Sequence, residues 1–172
     1  RLIWTGKWLI LRSSTLVLQC KLSGTLYGIP VEWIQEVIPD VNLEPQPGTT
    51  GNVAGLLNYR GQIVPVIDLS YLLHGVAVER RLSTRIIVVQ ASGAGSAQSF
   101  LVGLRAEAVT ETCQLNEAML QSQGIRMTEL PALCEVALHN GELLQMIQPR
   151  RLLTETLATE LLFSESAADG LL

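Results

Sequence analysis

Short apolar stretches, either alternating with polar residues or unbroken, recur along most of this sequence. Alternation is typical of a β-strand with one buried face, and a short unbroken apolar run is typical of a strand buried on both faces. The two patterns predict strands at residues 16–22, 26–30, 53–57, 63–69, 84–90, 99–104, 108–115, 134–138 and 142–147. They therefore indicate a mainly β protein.

A polar corner, Asn58-Tyr59-Arg60-Gly61, separates two of these apolar runs. Asn and Gly tolerate positive φ, so the corner is predicted to be a tight turn. Arg60 is the only cation between Val53 and Ile67, and a planar guanidinium held on a turn suits recognition of a carboxylate. Pro65 interrupts the second run, which predicts an edge strand or a bulge at that point.

The pattern changes at both ends of the sequence. Residues 1–15 are an N-terminal extension whose structure the pattern leaves open, either as an added strand or as a tail. Pro149 is predicted to open a C-terminal helix, and residues 164–172 are predicted to be a frayed tail. The helix prediction rests on leucines at a 3.6-residue spacing: Leu152, Leu153, Leu157, Leu161 and Leu162.

The two halves of the sequence carry similar motifs in the same order. Tyr27-Gly28-Ile29, Arg60-Gly61 and Ile67-Asp68-Leu69 are echoed by Val102-Gly103-Leu104, Asn140-Gly141 and Met146-Ile147-Gln148. This repetition predicts two related small β-barrels, formed by residues 16–75 and 76–163. Closing a sheet into a barrel removes exposed strand edges, which otherwise invite aggregation.

Composition narrows the class of protein. The 172 residues are 48% hydrophobic, enough for a sizeable core, and carry a net charge of -4. That charge gives no basic footprint for nucleic acid, and the apolar runs are too short for a membrane span, so direct membrane insertion is not expected. Three widely spaced cysteines, Cys20, Cys113 and Cys134, fit neither a disulfide framework nor a zinc site. They predict buried thiols in a cytoplasmic protein.

No candidate active site stands out among the residues that carry chemistry. His74 and His139 have no companion at metal-ligand spacing, so no metal site is predicted. Asp68 is predicted to cap a short helical turn rather than to act as a catalytic carboxylate. No nucleophile elbow or phosphate-binding loop occurs. The sequence therefore predicts a binding module with no catalytic residues and no cofactor.

Four motifs of the first half follow one another in the order Tyr27-Gly28-Ile29, Glu36-Val37, Gly55-x-x-Asn58-x-Arg60-Gly61 and Val64-Pro65-Val66-Ile67-Asp68-Leu69. Taken together, they resemble the motifs of the CheW family, the adaptor domains of bacterial chemosensory arrays. The clear resemblance covers residues 16–73, and a weaker one continues to about residue 153. In the second half, Arg105-Ala106-Glu107-Ala108-Val109 departs from the family's valine-aspartate-x-valine strand.

The resemblance implies two SH3-like five-stranded β-barrels packed together, with a C-terminal helix, within a domain at residues 16–163. It also implies a non-enzymatic cytoplasmic adaptor that couples chemoreceptors to a histidine kinase at membrane receptor arrays. The implied partners are the cytoplasmic tip of a chemoreceptor and the regulatory domain of a CheA-type kinase. A stand-alone protein-binding module of this fold, or a piece of a longer signalling protein, are the alternatives.

The positions that match the family's partner-binding region are Val31, Ile34, Glu36, Gly55, Asn58 and Arg60. Each also has a structural interpretation. Val31 and Ile34 could be ordinary core residues, and Gly55 could be required by a close backbone approach. Glu36 and Arg60 could form an ion pair within the barrel, which is compatible with a partner-binding role for the arginine.

Overall fold

The computed structural model describes residues 2–5, 8–11, 14–49, 51–92, 99–116, 119–122 and 133–152. Strands dominate this part of the chain, which confirms the prediction of a mainly β protein. The strands are β1 (Leu2–Thr5), β2 (Trp8–Leu11), β3 (Ser14–Leu22), β4 (Thr25–Pro30), β5 (Ile34–Pro39), β6 (Val53–Tyr59), β7 (Gln62–Asp68), β8 (Arg85–Ser92), β9 (Ser99–Ala106), β10 (Thr112–Asn116), β11 (Gln121–Ser122), β12 (Leu133–His139) and β13 (Glu142–Ile147).

Two large sheets form the body of the domain. The five-stranded sheet has the order β5-β8-β9-β7-β6, and the six-stranded sheet has the order β10-β3-β4-β13-β12-β11. Each sheet therefore takes strands from both sides of residue 75, and the predicted division into barrel halves at 16–75 and 76–163 is wrong. In the six-stranded sheet, β3 and β4 from the first part of the chain pair with strands from its last part. Local sequence patterns do not show such long-range pairing. Among the strands that the structure describes, β1 and β2 pair only with each other.

Buried side chains form three layers. One cluster lies between the two sheets and includes Leu18 and Ile29 from the six-stranded sheet and Ile87 and Leu104 from the five-stranded sheet. Each sheet also curls around a cluster of its own. We call the two curled sheets the five-stranded barrel and the six-stranded barrel. The shared cluster between them confirms that the barrels pack together.

The layering explains why the strands read as unbroken apolar runs. In β8, Ile86 and Val88 face the inside of the five-stranded barrel, whereas Ile87 and Val89 face the shared cluster. Neither face of this strand is left for water, so neither face needs polar residues.

The two barrels are built alike. Gly28 on β4 pairs with β3 and β13, and Gly103 on β9 pairs in the same way with β8 and β7. A Cβ atom on Gly28 would lie 2.5 Å from Val17, and one on Gly103 would lie 2.9 Å from Ile86. The same glycine is thus needed at the same crowded point in both barrels, which accounts for the repeated motif.

One interior position differs between the barrels. Gln19 lies opposite Gly28 in the six-stranded barrel, at the position that Val88 occupies opposite Gly103 in the five-stranded barrel. Gln19 is only 6% exposed. The Nε2 atom of Gln19 has no hydrogen-bond partner among the described residues.

Because a buried amide without a partner costs roughly 1–3 kcal/mol, we expect Gln19→Leu to raise the free energy of unfolding by about 1–2 kcal/mol. Urea denaturation checks this, and a loss of stability would contradict it.

Short helical segments connect the strands. Asp68 caps the helix α1 (Leu69–His74), as predicted, because its Oδ1 accepts a 2.9 Å hydrogen bond from the backbone N–H of Tyr71. Single 3₁₀ turns lie at Val31–Trp33 and Pro149–Arg151. The predicted C-terminal helix lies outside the described residues beyond Leu152. No helix in the described part of the chain is long and apolar enough to cross a membrane.

Pro65 does not occupy an edge strand, because β7 lies between β6 and β9. The parallel pairing of β7 with β9 begins one residue later, at Val66. The missing N–H of Pro65 therefore removes no hydrogen bond from that ladder. The nearby bulge is in β6, between Val53 and Gly55, rather than at the proline.

The described thiols follow the prediction in part. Cys20 is buried, and burial raises the pKa of its thiol to about 12. Cys113 is only half-buried. Both are free cysteines.

Candidate partner-binding site

The candidate site lies where the five-stranded barrel closes. Strands β5 and β6 are the two edges of the sheet. Beyond β5 the chain turns back to β6, and Glu44 and Leu56 exchange two backbone hydrogen bonds of 2.9 and 2.8 Å. This bridge, together with side chains from both edges, brings the edges together.

The carboxylate of Glu36 links the two edges. Its Oε2 accepts hydrogen bonds from the hydroxyl of Tyr59 at 2.6 Å and from Nη2 of Arg60 at 2.8 Å. The Arg60 guanidinium also lies 5.2 Å from the centre of the Tyr59 ring. The bond to Glu36 is the main reason why the pKa of the Tyr59 phenol lies above its usual value, since it stabilises the protonated form.

A bulge in β5 aims Glu36 at this position. The pairing of β5 with β8 shifts by one residue between Ile34 and Glu36. Side chains alternate along a strand, so one extra residue moves the following side chains to the other face. Ile34 consequently packs against the shared cluster, whereas Glu36 reaches Tyr59 on the inner side.

Arg60 occupies the predicted tight turn between β6 and β7. Arg60 and Gly61 have φ values of 53° and 85°, as the two central residues of a type I′ turn require. The Oδ1 of Asn58 accepts a 2.9 Å bond from the backbone N–H of Gly61. Asn58 therefore shapes the turn, and the Arg60 side chain remains 70% exposed although it pairs with Glu36.

Gly55 has a structural reason to be glycine. Its φ is +145°, and a Cβ atom there would lie 2.6 Å from the carbonyl oxygen of Glu44 and 2.9 Å from Cβ of Leu43. The bulge in β6 and the bridge between Glu44 and Leu56 create this close approach.

The six predicted residues do not form one cluster. Glu36, Asn58 and Arg60 lie together at the end of the five-stranded barrel. Val31 and Ile34 are partly buried against the cluster between the barrels, so for them the interpretation as core residues holds at least in part.

Tyr59 and Trp33 are not among the six predicted site residues. Tyr59 belongs to the predicted polar corner, but the sequence gives no sign that its hydroxyl binds Glu36. Trp33 lines a cavity of about 580 Å³ at one end of the six-stranded barrel, where the Arg150 guanidinium lies 4.1 Å from its ring. The local sequence signal for Trp33 is a bulky aromatic residue three positions after Pro30, at the 3₁₀ turn that follows β4.

Two comparisons with known proteins identify relatives of this chain. A family model described as the CheW-like domain matches residues 16–157, which is most of the chain. The chain belongs to the CheW-like domain family. The crystal structure of the scaffolding protein TtCheW from Thermoanaerobacter tengcongensis matches with a TM-score of 0.71 at 22% identity, over 90% of this chain and 96% of that one. A search of curated proteins finds no match.

This CheW-like domain departs from the usual family pattern at Ala106 and Glu107, and the structure shows the contacts of Glu107 and of the preceding Arg105. Its guanidinium Nε bonds the carboxylate of Asp40 at 2.9 Å, and both side chains are nearly buried, at 12% and 7% exposure. Glu107 accepts a bond from the backbone N–H of Glu79 at 2.9 Å. The departure thus serves contacts within this domain.

Among the described residues, no group of three His, Cys, Asp or Glu side chains could hold a metal ion. His74 bonds the hydroxyl of Tyr27 through Nε2 at 3.0 Å, and Asp68 uses its carboxylate on backbone N–H groups.

Proposed function

We propose that this CheW-like domain is a non-enzymatic scaffold in the cytoplasm that couples chemoreceptors to a CheA-type histidine kinase at membrane receptor arrays. In this proposal the cytoplasmic tip of the receptor and the regulatory domain of the kinase are its partners. Membership of the family supports the general role. The observation that carries the assignment to particular residues is the exposed Arg60 guanidinium, which a carboxylate and an aromatic ring hold in place.

The geometry around Arg60 favours recognition of a partner's carboxylate. Its ion pair with Glu36 uses Nη2, and a guanidinium carries five N–H donors in a fixed fork. The tight turn and the contact with Tyr59 restrict the side chain before binding, so less entropy is lost on association. A charge-assisted, bidentate contact adds geometric specificity. Asn58 is proposed to support this surface by fixing the turn, and Gly55 by allowing the close approach of Glu44. Val31 and Ile34, which pack against the cluster between the barrels, are proposed to contact a partner at a separate part of the surface.

The substitution Arg60→Asn separates binding from folding. The equivalent turn of the six-stranded barrel has Asn140-Gly141, with φ values of 50° and 79°, so asparagine fits this backbone. We expect the free energy of unfolding to change by less than about 1 kcal/mol, as for an exposed ion pair. Partner binding is expected to weaken by roughly 2 kcal/mol or more. Calorimetric titration with a receptor cytoplasmic fragment and with the kinase regulatory domain, beside thermal melts, checks both numbers.

Arg60→Lys is the matched control because it keeps the charge but lacks the planar fork. It is expected to restore little of the lost affinity. Wild-type affinity for both partners in a folded Arg60→Asn protein would remove Arg60 from the proposed interface. If the unmodified domain binds neither partner, the coupling function itself is wrong, and a stand-alone binding module becomes the better description.

A further inference from the structure

The five-stranded barrel has an open mouth beside Arg60. Along β8, Ile86 and Val88 face the barrel interior, and Gln90 is the next residue on that face. Along β7, Val66 and Val64 face inward, and Gln62 is next. The inward-facing rows thus end in two exposed glutamines. They line a groove of about 320 Å³ together with Tyr59, Arg60 and Leu101.

The six-stranded barrel provides an internal comparison. Counted from its central glycine, Lys21 on β3 corresponds to Gln90, and Glu142 on β13 corresponds to Gln62. Lys21 and Glu142 form an ion pair of 2.9 Å across that mouth. An ion pair therefore closes the mouth of the six-stranded barrel, whereas the equivalent two positions of the five-stranded barrel hold two amides. Neither glutamine makes a side-chain hydrogen bond among the described residues.

We infer that the mouth of the five-stranded barrel is a pocket for one carboxylate side chain of a protein partner, held by Arg60 together with the amides of Gln62 and Gln90. The inference rests on the proposed function, because it deepens the role given there to Arg60. It adds the two glutamines as specificity-determining residues and states what enters the groove.

The chemistry of the lining supports a carboxylate. Arg60 is the only charged side chain among the described residues that line the groove, although the whole protein carries a net charge of -4. The groove is lined by one guanidinium and by three primary amides, since Gln35 lies beside Gln62 and Gln90. Together these groups supply more N–H donors than acceptors, and an ionised carboxylate only accepts. A volume of about 320 Å³ is at the small end of ligand sites. It suits an inserted side chain better than a large cofactor.

The test replaces the two glutamines at the mouth of the five-stranded barrel by the residue types found at the mouth of the six-stranded barrel. The double variant Gln62→Glu/Gln90→Lys places the closing pair of the six-stranded barrel on the five-stranded one, with no change in net charge. Binding to the receptor cytoplasmic fragment and to the kinase regulatory domain is measured by calorimetry. We expect at least a tenfold loss of affinity for one of them, with an unchanged melting temperature. The variant Gln62→Leu/Gln90→Leu removes the amides without adding charges and is expected to show a similar loss.

The matched control is Lys21→Gln/Glu142→Gln, which opens the other mouth. It is expected to bind both fragments as the unmodified domain does. If the glutamine variants also bind both fragments with unchanged affinity, the pocket is wrong while the proposed coupling function stands. If the unmodified domain binds neither fragment, the coupling function fails. The pocket is then judged by titration with N-acetyl-glutamate amide, and unchanged NMR signals of the Gln62 and Gln90 side-chain amides overturn it.

Discussion

Replacing Gly55 with alanine is expected to lower the free energy of unfolding by about 2–6 kcal/mol. Two costs add. A residue with a side chain at φ +145° pays roughly 1–3 kcal/mol of backbone strain. The new Cβ atom also meets the Glu44 carbonyl oxygen at 2.6 Å, and overpacking of this kind costs about 1–3 kcal/mol. Since the whole domain is stable by only about 5–15 kcal/mol, urea denaturation will detect the change easily.

Gly61→Ala separates the two costs. Gly61 has a φ of +85°, and nothing lies within 4 Å of the position of its Cβ atom. It should therefore pay backbone strain alone, on the order of 1–2 kcal/mol. Equal stability of the two variants would show that the contact with Glu44 yields without cost. Gly55 would then need another explanation, and the partner interface would be the first candidate.

The strands and turns of this domain could be predicted from local patterns. Apolar alternation depends only on which face of a strand is buried, and Arg60-Gly61 and Asn140-Gly141 indicate turns through their own backbone preferences. The packing of the two barrels against each other was instead an implication of the family resemblance, which the shared cluster confirms. The strands and turns depend on the preferences of neighbouring residues, so they can be predicted from a single sequence.

Strand pairing and bulges could not be predicted in this way. The pairing of β4 with β13 joins residues more than a hundred positions apart. The sequence of neither strand indicates which other strand it pairs with. The three bulges at Ile34/Glu36, Val53/Gly55 and Leu133/Glu135 each move a strand from the shared cluster to a barrel interior. A strict period of two misplaces every side chain beyond such a point.

The candidate site shows the same limit. Arg60 can be predicted because it is the lone cation on a predicted turn, and Glu36 because it belongs to a family motif. Gln62 and Gln90 were not selected, since an exposed glutamine has no local signal. Their position became informative only when the register placed Lys21 and Glu142 at the equivalent points of the other barrel.

The second large effect is expected at Asp40. Its carboxylate binds Nε of Arg105 at 2.9 Å and Nε of Arg80 at 2.6 Å. Asp40→Ala leaves the nearly buried Arg105 without a counter-charge, and breaking a buried ion pair in this way costs about 3–5 kcal/mol. Arg80→Ala is the control, because Arg80 is 52% exposed and exposed pairs contribute roughly 1 kcal/mol or less.

A double-mutant cycle tells whether the cost comes from the stranded charge. If it does, adding Arg105→Met to Asp40→Ala will recover part of the lost stability, because the double variant buries no unpaired ion. Chemical denaturation of the single and double variants measures this coupling. If Asp40→Ala costs no more than Arg80→Ala, the pair is well solvated. Arg105, which directly precedes the segment where this chain departs from its family, would then be free to contact a partner instead of stabilising the fold.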